Sequence, residues 1–232
     1  MANQGVSNER KRELTQMDPF QESISRSVEW VLAHKKLLMI SAGALVGVVV
    51  VFSAILFSFK QSEVKASELA AKAYEKYEEH YSQDRDARKG YDAVKDDFQT
   101  LFDEYPNTSA GRMALINFGN ICFEAKDYDH AFDLYSRALS SMGDKAGVKN
   151  FLLCTLGTIC ELKNDPEQGK SYYLRVEEGP SNLLKDDARF ALALIYEKLN
   201  DADASRRMYE KIAESQGTSM YKAIAQARIS AQ

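Results

Sequence analysis

The sequence predicts an all-α protein with one N-terminal transmembrane helix followed by a helical-repeat solenoid. An uncharged apolar stretch runs from Leu37 to Phe59. The rest of the chain alternates apolar and polar residues in helical periods, and only 4 prolines interrupt its 232 residues. A pattern of small and aromatic residues also recurs after residue 60, as expected of stacked helix pairs.

The apolar stretch, 37–59, is predicted to be a membrane anchor. At about 1.5 Å per residue it extends roughly 34 Å, enough for a hydrocarbon core of about 30 Å. Lys36 and Lys60 bound it, and Trp30 lies just outside, where it suits the membrane interface. The stretch is too long for a signal peptide and no small-x-small cleavage site follows it directly.

The charges around the anchor leave its orientation open. The positive-inside rule compares cationic residues on the two sides of a span. Here the two sides are nearly balanced, with Arg26, Lys35 and Lys36 before the anchor and Lys60, Lys65, Lys72 and Lys76 after it.

Inside the anchor, Gly43 and Gly47 form a G-x-x-x-G pattern. Such spacing lets two transmembrane helices approach closely. These glycines are therefore the candidate residues for a contact between transmembrane helices and for a possible homodimer.

Residues 1–17 are polar and are predicted to be a disordered tail, and 18–36 to be a juxtamembrane amphipathic helix. Apolar residues recur at helical spacing in this second segment: Phe20, Ile24, Val28, Val31 and Leu32. The helix is expected either to lie on the membrane surface or to extend the anchor helix into solvent.

Residues 60–232 are predicted to form the repeat domain. Small, small, aromatic and apolar residues share one register in three copies: Gly119, Ala131, Tyr135 and Ala138; Gly157, Gly169, Tyr173 and Val176; Ala193, Ser205, Tyr209 and Ile212. Helix N-caps are expected at Asp127, Asp165 and Asp201. A weaker first copy contains Val94, Phe98 and Leu101. The expected units are about 66–111, 112–149, 150–185 and 186–220, followed by a capping helix at 221–230.

This register resembles the tetratricopeptide repeat, in which a small residue on one helix faces an aromatic ring on the other. With the anchor and segments such as FQTLFDEYPNTSAG and FEAKDYDHAFDLYSRAL, the chain resembles single-span bacterial tetratricopeptide-repeat envelope proteins, a family that includes the ancillary subunit of the Sec translocon. The resemblance implies an anchor in the inner membrane, a cytoplasmic N-terminus and periplasmic repeats. It also implies translocon subunits, periplasmic chaperones or exported chains as partners.

The sequence argues against catalysis, cofactors and nucleic acid. The net charge is −4, and no strongly basic patch is present. No metal, phosphate-binding or nucleophile motif occurs, so no catalytic, cofactor or metal-binding residues are expected. The cysteines, Cys122, Cys154 and Cys160, are interpreted as small buried hydrophobic residues.

Protein binding is the remaining function, and the first helix of each pair is expected to line a concave groove. The candidate protein-binding residues are Met113, Ile116, Asn120, Phe123, Phe151, Thr158, Glu161, Phe190, Leu194 and Glu197, with Cys154 beside them. They are mostly apolar and suit an apolar helix or an unfolded segment. Some of them are alternatively core residues that pack against neighbouring helices.

Two functions are compatible with these features. The first is a membrane-anchored scaffold or chaperone-like accessory subunit at the protein-export machinery. The alternative is an envelope scaffold for cell-wall synthesis or cell division, with no role in export.

Overall fold

The computed structural model describes residues 19–142, 146–216 and 218–231, and these contain helices and no strands. The predicted tail, 1–17, lies outside the described residues. The helices are α1 (Pro19–Ala33), α2 (Lys35–Asp84), α3 (Ala87–Glu104), α4 (Ser109–Glu124), α5 (Tyr128–Met142), α6 (Ala146–Leu162), α7 (Pro166–Glu177), α8 (Lys185–Lys198), α9 (Ala202–Glu214) and α10 (Lys222–Ala231). This confirms the predicted all-α fold class. The chain divides into two compact units, 1–58 and 59–232.

The first unit contains α1 and the apolar part of α2. The amide of His34 donates to the Trp30 carbonyl at 3.0 Å, and the amide of Leu38 donates to the His34 carbonyl at 2.9 Å. Helical hydrogen bonding therefore continues across the junction of α1 and α2, as expected if the upstream helix extends the anchor. The segment Lys35–Ser82 of α2 includes a stretch long and apolar enough to cross a membrane, and that stretch is unburied.

The second unit is a stack of helix pairs. Helices α4 and α5 pack as one pair, α6 and α7 as the next, and α8 and α9 as the last. Each pair also packs on its neighbour through α5 with α6 and α7 with α8, and α10 covers α9. Helix α4 begins at Ser109, before the expected unit boundary at 112, because Thr108 caps it by accepting from the Gly111 amide at 2.9 Å.

The same turn joins the two helices of every pair. A residue with left-handed backbone comes first, at Arg85, Lys126, Asn164 or Asn200, with φ between 54° and 62°. An aspartate follows, and its carboxylate accepts from amides in the first turn of the next helix. This confirms the predicted caps Asp127, Asp165 and Asp201, and adds Asp86, which the sequence analysis did not include.

The small residues and rings of the predicted register meet inside the pairs. A Cβ atom added to Gly119 would lie 3.1 Å from the Tyr135 ring, and one added to Gly157 would lie 2.7 Å from the Tyr173 ring. Both rings are buried, with 1% and 3% of their surface exposed. The glycines therefore allow the two helices of a pair to approach across an aromatic ring, as the sequence predicts.

The first pair, α2 and α3, reverses this arrangement. Here the ring comes from the first helix and the glycine from the second, since a Cβ on Gly90 would lie 2.7 Å from the Tyr77 ring. The Tyr77 hydroxyl donates to Glu124 of α4 at 2.7 Å, which links the first pair to the second. The predicted apolar residues of this copy, Val94, Phe98 and Leu101, are buried.

A second polar contact joins the same two pairs. The carboxylate of Glu63, on α2, accepts from the amides of Ser109 and Ala110 at 2.7 and 2.9 Å. These amides are in the first turn of α4 and have no carbonyl partner within the helix. A negative charge there also interacts favourably with the helix dipole.

We expect a bulky side chain at Gly157 to destabilise the fold. Gly157→Leu places atoms where the buried Tyr173 ring lies, and overpacking of this kind costs about 1–3 kcal/mol. Tyr135→Ala removes a buried ring and should cost about 3–5 kcal/mol. Urea denaturation of the detergent-solubilised protein, followed by circular dichroism, measures both changes.

The matched control is Ser140→Leu, which adds the same side chain at an exposed helical position. It should unfold close to the unsubstituted protein. If Gly157→Leu and Ser140→Leu unfold at the same urea concentration, the close packing of glycine and ring does not stabilise the pair.

Candidate protein-binding groove

The concave side of the stack contains a cavity of about 520 Å³, called here the central groove. Its walls are the first helices of three successive pairs, α4, α6 and α8, and Tyr221 before α10 closes one side. Stacked helix pairs place their first helices side by side, and such repeats use the resulting concave surface for binding.

The central groove brings together most of the predicted binding residues. Those that line it are Asn120, Phe123, Phe151, Cys154, Thr158, Glu161, Phe190 and Leu194. Met113, Ile116 and Glu197 do not line it. Met113 is exposed elsewhere on α4, with 51% of its surface accessible. The role of these residues in binding remains a prediction.

The aromatic residues of the groove differ in how far they are buried. Phe151 has 38% of its surface exposed. Phe123 is half-buried and meets Tyr128 edge to face at 5.7 Å between ring centroids. Phe190 is also half-buried and stacks on Tyr221 at 4.5 Å. Phe151 is therefore the ring most available to a partner, whereas Phe190 also belongs to the packing of the last pair.

Hydroxyl groups of the buried tyrosines reach the groove from below. The Tyr135 hydroxyl donates to the Asn120 side chain. The Tyr173 hydroxyl donates to Glu161 at 2.9 Å and lies 3.1 Å from the Thr158 hydroxyl. Asn120, Thr158 and Glu161 therefore have a structural role beneath the groove as well as a position in its lining.

In the last pair, Glu197 also accepts a hydrogen bond from a buried tyrosine. The Tyr209 hydroxyl donates to its carboxylate at 3.0 Å, and Arg228 lies 3.5 Å away. Glu197 does not line the cavity, whose lining contains no residue of α8 after Leu194.

The Cys154 thiol and the Tyr173 hydroxyl beneath the groove are both neutral at pH 7. Burial raises the pKa of the Cys154 thiol to about 12, and the nearby Asp187 carboxylate adds to the shift. Burial also raises the pKa of the Tyr173 hydroxyl well above its ordinary value. A thiol with so high a pKa is a poor nucleophile, so Cys154 contributes apolar surface to the groove.

Seven residues of the lining were not among the predicted ones: Tyr135, Thr155, Tyr173, Leu184, Asp187, Ala191 and Tyr221. Leu184 has left-handed backbone, with φ 57°, immediately before α8. Asp187 is in the first turn of α8, and its carboxylate accepts from the Tyr221 hydroxyl at 3.2 Å. The apolar spacing of α8 does not indicate Leu184 or Tyr221, because these residues lie outside α8. The loop before α8 brings Leu184 to the cavity, and the residue before α10 is Tyr221.

Salt bridges fix the α8 wall against its neighbours. Arg189 of α8 donates to Glu177 of α7 at 2.6 Å and to Asp186 at 3.0 Å. Lys211 of α9 also reaches Glu177, at 2.7 Å. Burial alone would raise the pKa of Glu177, but hydrogen bonds from Arg189 and Lys211 outweigh it and leave the pKa below its ordinary value.

Gly43 and Gly47, the predicted contact residues of the anchor, lie on an exposed part of α2. No other side chain comes within 4 Å of a Cβ added at either position. A contact with a second transmembrane helix remains a prediction.

Within 19–142, 146–216 and 218–231, no cluster of three His, Cys, Asp or Glu side chains has the arrangement of a metal site.

We expect the Glu177 network to stabilise the fold at neutral pH and not at low pH. The pKa of Glu177 is lowered in the folded protein, so its contribution is present above the ordinary pKa and is lost as the pH falls through the folded pKa. Glu177→Gln should lower the free energy of unfolding by about 1–3 kcal/mol at pH 7, since it removes hydrogen bonds to a charged group. Urea denaturation between pH 7 and pH 3 measures the difference.

Glu210→Gln is the matched control, because it removes a half-exposed partner of Arg206 within one helix. A deficit of Glu177→Gln that stays constant from pH 7 to pH 3 would contradict the electrostatic explanation.

Comparison with known proteins identifies the repeat. Residues 186–218 match the sequence profile of the tetratricopeptide repeat. A tetratricopeptide repeat protein from Parabacteroides merdae ATCC 43184 has a similar structure, with a TM-score of 0.56 and 18% identity, over 73% of this chain and 59% of that chain. This chain therefore spans less than two thirds of that protein. Pseudomonas aeruginosa PilF is 12% identical with a TM-score of 0.48, over 75% of this chain and 85% of its own.

No curated protein matches the chain at the sequence level. The similarity to solved structures concerns the fold, and the profile match concerns the last helix pair. Together with the helix pairs described above, they assign the described part of the second unit to the tetratricopeptide-like helical-repeat solenoids, an architecture that serves as a protein-binding scaffold.

Proposed function

We propose that this protein is a membrane-anchored scaffold whose central groove holds apolar segments of other proteins, as a chaperone-like accessory subunit at the protein-export machinery. The observation that carries the proposal is the open, mostly apolar groove on the concave side of the stack. Apolar segments are accessible on a chain that has not yet folded, and such a surface suits them.

The anchor supports the membrane part of the proposal. Helix α2 contains a span long and apolar enough to cross a bilayer, and the segment is exposed. We place the protein in the bacterial inner membrane as a single-pass protein, with its N-terminus in the cytoplasm and its repeats in the periplasm. This orientation rests on the resemblance to envelope proteins, because the flanking charges are balanced.

The assignment to protein export rests on the same resemblance in the order of parts: a short tail, one anchor and a degenerate first helix pair before the regular repeats. A groove for apolar segments is compatible with it, because exported chains expose such segments before they fold. The partners would then be translocon subunits, periplasmic chaperones or exported chains.

We expect the protein to remain in the membrane fraction after alkaline carbonate washing, because about 20 apolar residues insert essentially irreversibly. Protease added to spheroplasts should digest the repeats, as detected with an antibody against the second unit. An epitope tag at the N-terminus should survive in the same sample. If the repeats are protected until the inner membrane is broken, the proposed orientation is wrong.

We expect the exposed ring of the groove to be needed for partner capture. Phe151→Ser removes an apolar anchor, and loss of a central anchor residue typically costs about 2 kcal/mol or more of affinity. The measurement is crosslinking in native membranes followed by mass spectrometry, with folding checked by circular dichroism.

Leu162→Ser is the matched control, because Leu162 lies on the same helix, is 45% exposed and does not line the groove. Translocon subunits or exported chains that are lost from Phe151→Ser and kept by Leu162→Ser support the proposal. Recovery of cell-wall enzymes or division proteins in their place would favour the alternative function. Equal recovery by both variants would exclude the groove as the binding site.

A further inference from the structure

The charges that line the central groove are all negative. Glu161 lies in one wall and Asp187 in another, and the described residues of the lining include no lysine or arginine. Building on the proposed function, we infer that the groove binds apolar segments that carry positively charged side chains, and that Glu161 and Asp187 select them.

Both carboxylates have acceptor capacity left for a partner. Asp187 accepts one hydrogen bond from the Tyr221 hydroxyl, and Glu161 accepts one from the Tyr173 hydroxyl. An ionised carboxylate has about four acceptor positions, so each can still accept from a lysine or arginine. The tyrosines hold the two carboxylates in place before any partner arrives.

Lys198 is a cation close to one of the two groove carboxylates. The Lys198 amino group is 3.8 Å from Glu161, beyond hydrogen-bond distance, and its side chain is 69% exposed. An exposed pair of this kind is worth little and is easily exchanged for a better partner. Lys198 therefore does not neutralise the groove.

The spacing of the carboxylates restricts how a partner can bind. Asp187 is three residues after Leu184, whose carbonyl lies 3.9 Å from the Cys154 thiol of α6, and Asp187 and Cys154 line the same cavity. Glu161 is two helical turns further along α6, about 10 Å at 1.5 Å per residue. A helical segment with cations about seven residues apart would reach both carboxylates.

Apolar walls strengthen this selection. Phe123, Phe151 and Phe190 line the same cavity as the two carboxylates, and a bound apolar segment would limit the access of water to it. A neutral partner would leave the carboxylates desolvated without compensation, and an acidic partner would add repulsion. A cationic partner compensates for the desolvation.

The test uses the full chain in detergent micelles and three fluorescent helical peptides of equal length. All three have the same leucine and alanine face, and two positions about seven residues apart are lysine, glutamine or glutamate. By fluorescence anisotropy we expect the lysine peptide to bind about tenfold more tightly than the glutamine peptide, and the glutamate peptide to bind most weakly. The preference should shrink as salt is raised.

The variant Glu161→Gln with Asp187→Asn keeps the tyrosine contacts possible and removes both charges. We expect it to bind the lysine and glutamine peptides equally. Asp203→Asn with Glu210→Gln is the matched control, because it removes two carboxylates from α9, outside the groove. It should keep the preference.

Equal affinity of the unsubstituted chain for all three peptides would overturn this inference and leave the proposed function standing. A preference that survives in the folded Glu161→Gln, Asp187→Asn variant would also overturn it. Absence of binding to any peptide would overturn the proposed role of the groove itself. If the double variant does not fold, the peptide series and its salt dependence on the unsubstituted chain decide.

Discussion

The contact between a small residue and a tyrosine ring governs the repeat domain. Gly119 and Gly157 have no side chain, so the rings of Tyr135 and Tyr173 lie directly against the backbone of the partner helix. This contact sets the separation of the helices in a pair. Because the pairs stack on one another, the same separation determines where each first helix lies along the concave side.

Each of these rings also has a polar end, and that end connects the core to the groove. A buried tyrosine needs a partner for its hydroxyl, and here the partner is a residue at the concave surface. The tyrosine hydroxyls thereby order Asn120 and Glu161, which also line the groove. In each of these pairs, the same tyrosine side chain therefore fills the core with its ring and positions a polar residue of the groove with its hydroxyl.

Much of this could be predicted from the sequence. The register of Gly119 with Tyr135 could be predicted because the same pairing of residue types recurs in later copies, as Gly157 with Tyr173 and Ala193 with Tyr209. The aspartate caps were predictable for the same reason, since they mark the start of the second helix in each pair. The resemblance to tetratricopeptide repeats, rather than spacing, predicted that the first helices line the concave side.

Other features depend on contacts that spacing does not encode. Glu197 has the predicted position on a first helix, but the cavity extends along α8 only as far as Leu194, so Glu197 does not line it. Tyr221 enters the lining because the chain before α10 folds back over α8. In the first pair the ring, Tyr77, is on the first helix and the glycine, Gly90, is on the second. A search for the regular pattern therefore finds only the apolar residues of this pair.

The contact of Glu63 with the start of α4 has a practical meaning for anyone who separates the repeats from the apolar segment. Glu63 is only four residues beyond the apolar stretch, yet its carboxylate caps a helix of the second pair. A water-soluble fragment that begins at the first expected unit, near residue 66, would lack this carboxylate and leave two amides at the helix end to solvent. The smallest fragment that keeps the native end of α4 must begin at or before Glu63, close to the end of the apolar stretch.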